Sequence, residues 1–458
     1  VRAYQETVAV EVTIAGQAWA EAFGAAMGAI GGCFARREAR KTAQELTAGL
    51  LLELDTRNCW TLAEALGHPG PHRLQHLLSR ACFDHDQARE QVARMLIDHL
   101  AEEDVVLVVD ETGDVKSSTG CVGAGRQYSG ALRGVGLCQV AVHLAVVTPT
   151  TRVIIDRALY LPADWAADGE RREAAGVPDE VAFATKPQQA ARMVADALAA
   201  GVRARWFAAD EVYCGRELRL EIRRLGLGYA VGVPATYPVT DGAGRRWQAR
   251  QLLNKVRPEQ WMRRPTGDGA KGRREYDWAW LDIRPDDTPD ETGQPDGTNV
   301  LVARRHRYTG EISCYRCHTP SPVTLATLVE IICRRWKIEE TFQLAKGFTG
   351  LDQGQVTCWN SWMRWSLFSL IAAAILTLTL HTTMPRTPAG RPPRLVPLTC
   401  PELVRLLRAF VLPPPAHHHE HTLRWTAWRR RHQATAQACH QQRHHRHDQP
   451  RSELQLQC

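Results

Sequence analysis

The stretch Arg334-Arg335-Trp336-Lys337-Ile338-Glu339-Glu340-Thr341-Phe342-Gln343-Leu344-Ala345-Lys346 reads as helix. Ile331, Ile338, Phe342 and Ala345 recur at helical spacing and would face a core. Arg335, Glu339 and Lys346 fall at i, i+4 and i+11, so they share a neighbouring face. A carboxylate with one cation a turn before it and another two turns after suits a site for a metal and a phosphate together. An ordinary surface salt-bridge ladder has the same spacing. Two apolar runs upstream favour the site. Val105-Val106-Leu107-Val108-Val109-Asp110-Glu111 and Trp206-Phe207-Ala208-Ala209-Asp210-Glu211 each end in acidic residues. Two strand-end aspartates and a helical glutamate make a three-carboxylate set: Asp110, Asp210 and Glu339.

Three converging carboxylates are what hard divalent cations need. Mg²⁺ takes oxygen ligands and keeps positions open for water and phosphate. Two such ions roughly 3.5–4 Å apart clamp the attacking and leaving oxygens of an in-line displacement at phosphorus. Asp110 would bridge the ions, with Asp210 on one and Glu339 on the other. Without cations the anions repel, and some of their pKa values rise. Glu340 is the rival third carboxylate, about 100° around the helix from Glu339. Glu111 and Glu211 are candidates for supporting or structural roles.

The elements that must position these residues follow an α/β order. Val105 to Asp110 is apolar on both faces, as a buried central strand is. A Gly-rich turn with Lys116, Arg126, Tyr128 and Arg133 follows. Leu137 to Val147 and Val153 to Leu161 are two further strands, and the short link between them favours antiparallel pairing. Thr185 caps a helix to about Ala200, with Pro187 in its first turn. Trp206 to Asp210 is a fourth strand, Leu218 to Leu225 a helix and Tyr229 to Val233 a fifth strand. Three strands, helix, strand, helix, strand is the order of a ribonuclease-H-like mixed five-stranded sheet. In it the first and fourth strands are neighbours, so Asp110 and Asp210 would meet at one sheet edge.

Around that core the pattern changes. Residues 1–103 read as helical. Trp60 to Leu66, a Gly-Pro turn and His72 to Arg80 fit a helix-turn-helix whose second member bears Arg73, Gln75, His76 and Arg80. A plain helical hairpin is the other reading. Residues 104–234 would be the first part of the core and 235–323 a β-rich insertion of short alternating runs. Residues 324–383 would complete the core with the glutamate helix, about Thr324 to Gly347, and an apolar helix from Ser361 to His381. Residues 384–458 read as a Pro/Arg-rich linker, Met384 to Pro397, and a basic helical extension. There Arg429, Arg430 and Arg431 follow Trp425 and Trp428, a pattern suited to tracking phosphates.

The 458-residue chain is 44% hydrophobic and carries a formal net charge of +7, which permits a nucleic-acid partner without demanding one. Its thirteen cysteines lack a framework spacing. No signal-peptide pattern precedes them, so free thiols in a reducing cytoplasm are expected. The nearly uncharged run Trp365 to Leu380 is short for a membrane span and is expected to be a buried helix; no membrane partner is expected.

The surroundings of Glu339 resemble the tyrosine–arginine–glutamate–lysine signature of cut-and-paste insertion-sequence transposases of the DDE superfamily. The match rests on Arg335, Glu339 and Lys346. The stretches Val108 to Gly113, Gly125 to Gly130, Leu161 to Trp165, Ala209 to Tyr213 and Gly350 to Gln353 extend it across roughly residues 34 to 445. The resemblance implies a ribonuclease-H-like core with a β insertion and Mg²⁺ dependence, with Mn²⁺ as a substitute. It implies cleavage at terminal inverted repeats and joining of 3′-hydroxyl ends to target DNA. By residue match, Asp110, Asp210 and Glu339 are its catalytic and metal-binding triad. Arg335 and Lys346 are its phosphate contacts, with Arg126, Lys116, Arg73 and Arg429 to Arg431 as further DNA-binding candidates. A homodimer or larger synaptic assembly in the cytoplasm, on the nucleoid, is expected. The chain departs from the signature at Ile332, where the family has tyrosine, so a tyrosine-dependent phosphate contact does not carry over. A non-catalytic DNA-binding regulator, a degenerate inactive copy and a ribonuclease-H-like nuclease without strand transfer are the alternative functions.

Two local patterns compete for chemistry elsewhere. Cys314-Tyr315-Arg316-Cys317-His318 has the spacing of a haem attachment, but the same residues fit a chance occurrence in a strand, and no second pair stands at zinc spacing. The run His417 to His421 could bind metal, or be a solvated loop.

Overall fold

The computed structural model describes residues 2–100, 104–130, 132–269, 272–289, 297–354, 356–383, 396–416 and 418–448. Most of the Met384 to Pro397 linker, residues 290–296 of the acidic loop and His417 lie outside the described residues.

Helices α1 (Arg2–Ala29), α2 (Arg37–Gly49), α3 (Cys59–Ala65), α4 (His72–Ser79) and α5 (His85–His99) come first. Strands β1 (Val105–Val115), β2 (Gly125–Ser129), β3 (Gly134–Val147) and β4 (Arg152–Tyr160) follow. Then come α6 (Ala163–Ala167), α7 (Gly169–Ala175), α8 (Lys186–Ala199), β5 (Ala204–Ala209), α9 (Arg216–Arg224) and β6 (Gly228–Val233). A small hairpin, β7 (Pro238–Thr240) and β8 (Arg246–Gln248), leads through α10 (Ala249–Leu253) to β9 (Met262–Gly269), β10 (Gly272–Asp282), β11 (Thr298–Arg305) and β12 (Ile312–Thr319). The chain closes with α11 (Leu325–Arg335), α12 (Lys337–Thr349), α13 (Trp359–Thr383), α14 (Cys400–Phe410) and α15 (His419–Asp448).

The fold is mixed α/β around one large mixed sheet with helical termini. β1 pairs antiparallel with β3 and parallel with β5; β5 pairs parallel with β6, and β4 antiparallel with β3. The sheet has ten strands, β4, β3, β1, β5 and β6 among them. β12 pairs antiparallel with β6, and β11, β10 and β9 continue outward from it. The expected insertion therefore extends the sheet, because β6 would otherwise leave a row of unpaired backbone groups. Asp287, just past β10, is fully buried and pins this extension to the core. It lies 2.8 Å from Arg219 and 3.1 Å from Arg223 of α9, and it accepts the Tyr229 hydroxyl at 2.6 Å.

Two other expectations change shape. β1 does not stop at Asp110 but runs to Val115, paired residue by residue with β3. Gly113 permits this: a Cβ there would stand 2.6 Å from Ser129 Oγ. The glutamate helix is not continuous. It breaks after Arg335 at Trp336, whose ring stacks beneath the Arg304 guanidinium at 4.2 Å. The break makes Glu339 and Glu340 first-turn residues of α12, where the helix dipole favours anions.

α13 is long and apolar enough to cross a membrane, yet the rest of the chain buries 89% of its apolar window. Its buried Arg364 donates to the carbonyls of Leu77 and Phe83, tying the N-terminal helices to the core. On the opposite side, Arg157 of β4 donates to Ser366 Oγ and the Met363 carbonyl.

Candidate active site

The parallel pairing of β1 and β5 ends at Val109 opposite Ala209, so Asp110 and Asp210 occupy adjacent positions just past the paired segments of the two strands. Asp110 stays within its strand, opposite His143, and its Oδ1 accepts the Glu111 amide at 2.8 Å. Asp210 leaves β5 and opens a single helical turn, its Oδ1 accepting the Val212 amide at 2.9 Å. Burial, then the charge of Asp210, pushes the Asp110 carboxyl up to about 7, against the pull of Arg335. Burial also raises Asp210; the Val212 amide and Arg335 oppose that rise, and Glu111 adds to it.

Arg335 joins this pair to the third acid. Its guanidinium lies 3.6 Å from Asp110 Oδ2 and 3.0 Å from Glu339 Oε1. Glu339 is half exposed, and its contact is with Arg335. Among the described residues, no group of three or more His, Cys, Asp or Glu side chains is arranged to hold a metal. The donor chemistry still fits a divalent cation. Asp110 and Asp210 offer hard oxygens, and Asp110 is an acid made proton-avid by burial and a like charge, a state that a cation relieves. Glu339 is linked to the pair through Arg335, which contacts both Asp110 and Glu339. The rival Glu340 is held 3.0 Å from Arg152 of β4 and 3.3 Å from Lys337.

The other basic candidates are placed differently. Lys346 lies 3.3 Å from Asp114 Oδ1 and donates to the Gly113 carbonyl. Lys116 is buried, and its ammonium donates to the Gly354 carbonyl at 3.1 Å. Arg126 is exposed on β2. Arg73 on α4 is bound to Glu45 at 3.0 Å and to Thr42. Arg429 pairs with Glu64 of α3, while Arg430 and Arg431 are exposed on α15. α15 also covers the α3–α4 turn: the Trp425 indole donates to the His68 carbonyl at 2.8 Å. Ile332 is buried.

Cys314 and Cys317 do not form a joint site. They point to opposite faces of β12, Cys314 into the core beneath β10 and β11 and Cys317 into the main core. Burial raises both thiols, Cys314 to about 11.

Sequence reading missed Asp114, which the length of β1 places on the Asp110 face, and the partners of Glu111. The signal for Asp114 is alternation carried through Thr112-Gly113, which looks like a break. Glu111 contacts Lys186 and Tyr213, and Glu211 is exposed.

A family model described as DDE superfamily endonuclease matches residues 30–283, a span that holds Asp110 and Asp210 and ends before Glu339. The probable transposase for insertion sequence element IS701 of Microchaete diplosiphon is 23% identical over 257 residues. That match covers 54% of this chain and 64% of the relative's length. A cryo-EM structure of the piggyBac transposase synaptic complex with hairpin DNA aligns at a TM-score of 0.44 and 10% identity, covering 82% of this chain and 71% of that one. With more than half of its residues matched by the family model, the chain belongs to the DDE superfamily endonucleases.

Proposed function

We propose that the chain is a DNA transposase that cuts at terminal inverted repeats and joins the freed 3′-hydroxyl ends to target DNA. The observation that carries this reading is the placement of Asp110 and Asp210 on adjacent strands, with Asp110 pushed up to about 7. We read the order β4–β3–β1–β5–β6 as a ribonuclease-H-like core extended by β9 to β12. We divide the chain into helices 1–103, core 104–234 and 324–383, insertion 235–323 and basic extension 384–458.

Asp110 and Asp210, joined by Glu339, would hold the metal, Mg²⁺ or in its place Mn²⁺. When bound, it would lower the pKa of the attacking oxygen and stabilise the leaving one. Arg335 then turns from the carboxylates to a non-bridging phosphate oxygen, where its planar fork suits bidentate contact. Lys346 of α12 supplies a second positive charge. Arg126, Arg430 and Arg431 are exposed at the surface, where they would follow the duplex. The working form on the cytoplasmic nucleoid is a dimer or larger, since two element ends must be held together.

Cleavage of a supercoiled plasmid bearing the gene's flanking DNA tests the reading, with Mg²⁺, with EDTA and with Asp110→Asn. Metal-dependent breaks at the element ends, lost in the variant, are expected. DNA bound but never cut would favour a degenerate copy, a reading that the Arg335–Glu339 pairing also suits. Cuts without end specificity or joined products would favour a plain nuclease.

A further inference from the structure

Glu111 follows Asp110, and strand alternation turns it to the opposite face of the sheet. There its two carboxylate oxygens point to different elements. Oε1 lies 2.7 Å from the Lys186 ammonium at the start of α8. Oε2 accepts the Tyr213 hydroxyl at 2.6 Å. Tyr213 is fully buried and ends the single turn that Asp210 opens. Each aspartate is thus held by an amide of the segment following it, and the two segments are bonded to each other through Glu111 and Tyr213.

The charge of Glu111 is matched by Lys186 at 2.7 Å, so what Glu111 adds at this edge is a fixed tie between β1 and the turn that Asp210 opens. Lys186 and Tyr213 occupy both of its oxygens, which keeps it from becoming a ligand itself. Bonds between a hydroxyl and a carboxylate are short and directional, which suits fixing a distance.

We propose that Glu111 and Tyr213 form a clamp that sets the separation and orientation of Asp110 and Asp210 for a divalent cation, with Lys186 balancing the clamp's charge. Glu111 is a positioning residue, acting through the aspartates. The inference rests on the reading of that pair as the metal holders.

The test is Mn²⁺ titration of the full chain, following the free-ion electron paramagnetic resonance signal, for wild type, Asp110→Asn, Tyr213→Phe and Glu111→Gln. Thermal melting is recorded alongside. Wild type should bind Mn²⁺ in a manner lost with Asp110→Asn. Tyr213→Phe keeps the ring and loses the bond, and should weaken Mn²⁺ about 10-fold or more. Glu111→Gln keeps an acceptor for Tyr213 and should bind Mn²⁺ more tightly than Tyr213→Phe does; Glu111→Ala, measured alongside, removes the acceptor and decides the matter if Tyr213→Phe does not fold. Wild-type Mn²⁺ affinity in folded Tyr213→Phe or Glu111→Ala, whatever the melting temperature, would overturn the clamp and leave the aspartate pair standing. Wild-type binding that ignores Asp110→Asn would overturn the pair and the clamp together.

Discussion

The ammonium of Lys346 lies 3.3 Å from Asp114 Oδ1, four residues beyond Asp110 on the same face of β1. The cation matched to a phosphate contact is therefore committed to a buried carboxylate in the DNA-free protein. Asp114→Asn should loosen it, leaving the Gly113 carbonyl as a partner, and the lost ion pair costs less than an ordinary one because burial already disfavours the Asp114 charge. Non-specific duplex binding should tighten, and the slope of log affinity against log salt should steepen by about 0.9. Filter binding across a salt series measures this. An unchanged slope would show that Lys346 does not reach phosphate.

Asp110 and His143 are paired across β1 and β3, and their titrations oppose each other. Asp110 is raised to about 7, so the stability it contributes is present below the unfolded carboxylate range and is lost as pH climbs to about 7. His143, fully buried against Phe342, is lowered to about 3 by burial. Its contribution is present above about 6.5 and is lost as pH falls through the acid range. Between about pH 4 and 6.5 the two slopes offset. Asp110→Asn removes one of them, so the variant's stability should rise with pH more steeply than wild type there. At pH 8, in EDTA, the variant should be the more stable by on the order of a few kcal/mol. Urea denaturation across pH checks both; parallel curves would contradict the proton on Asp110.

The strand-end aspartates were legible because an apolar run that stops at an acid is a short-range pattern. Their adjacency followed from element order alone. The partners were not legible. Asp114 is hidden by Gly113, which looks like a turn but is a glycine that lets β1 pass beside Ser129. Lys116 looks like a loop cation, and only the fold brings the Gly354 carbonyl to it from 238 residues away. The insertion looked separate because local alternation says nothing about which strand lies alongside, and the free edge of β6 decided that. Cys314 and Cys317 have a motif spacing, but a strand sends positions three apart to opposite faces.

Gly350 ends α12 with φ +65, and a Cβ there would meet Arg57 Cδ at 2.9 Å. Arg57 cannot retreat, since its guanidinium donates to the Leu50 and Leu52 carbonyls. Gly350→Ala should cost about 1–3 kcal/mol. Gly347→Ala, on the exposed face of the same helix with nothing near its Cβ, should stabilise by about 0.5–1 kcal/mol. Thermal melts of both variants separate backbone strain at the helix end from simple helix propensity; equal melts would remove the strained cap.

Arg335 stands between Asp110 and Glu339, as a cation held by both would. Two effects then run in opposite directions on removing it. Arg335→Ala takes a positive charge from beside the aspartates, and Mn²⁺ should bind about 10-fold or more tightly. The same change removes the guanidinium proposed to meet the phosphate, and cleavage should fall at least about 10-fold. Tighter metal with slower cutting is a result that neither misfolding nor a purely structural ion pair produces. Weaker metal binding would instead mean that Arg335 holds Asp110 in place for the ion, and exchange of guanidinium for metal at Glu339 would have to be abandoned.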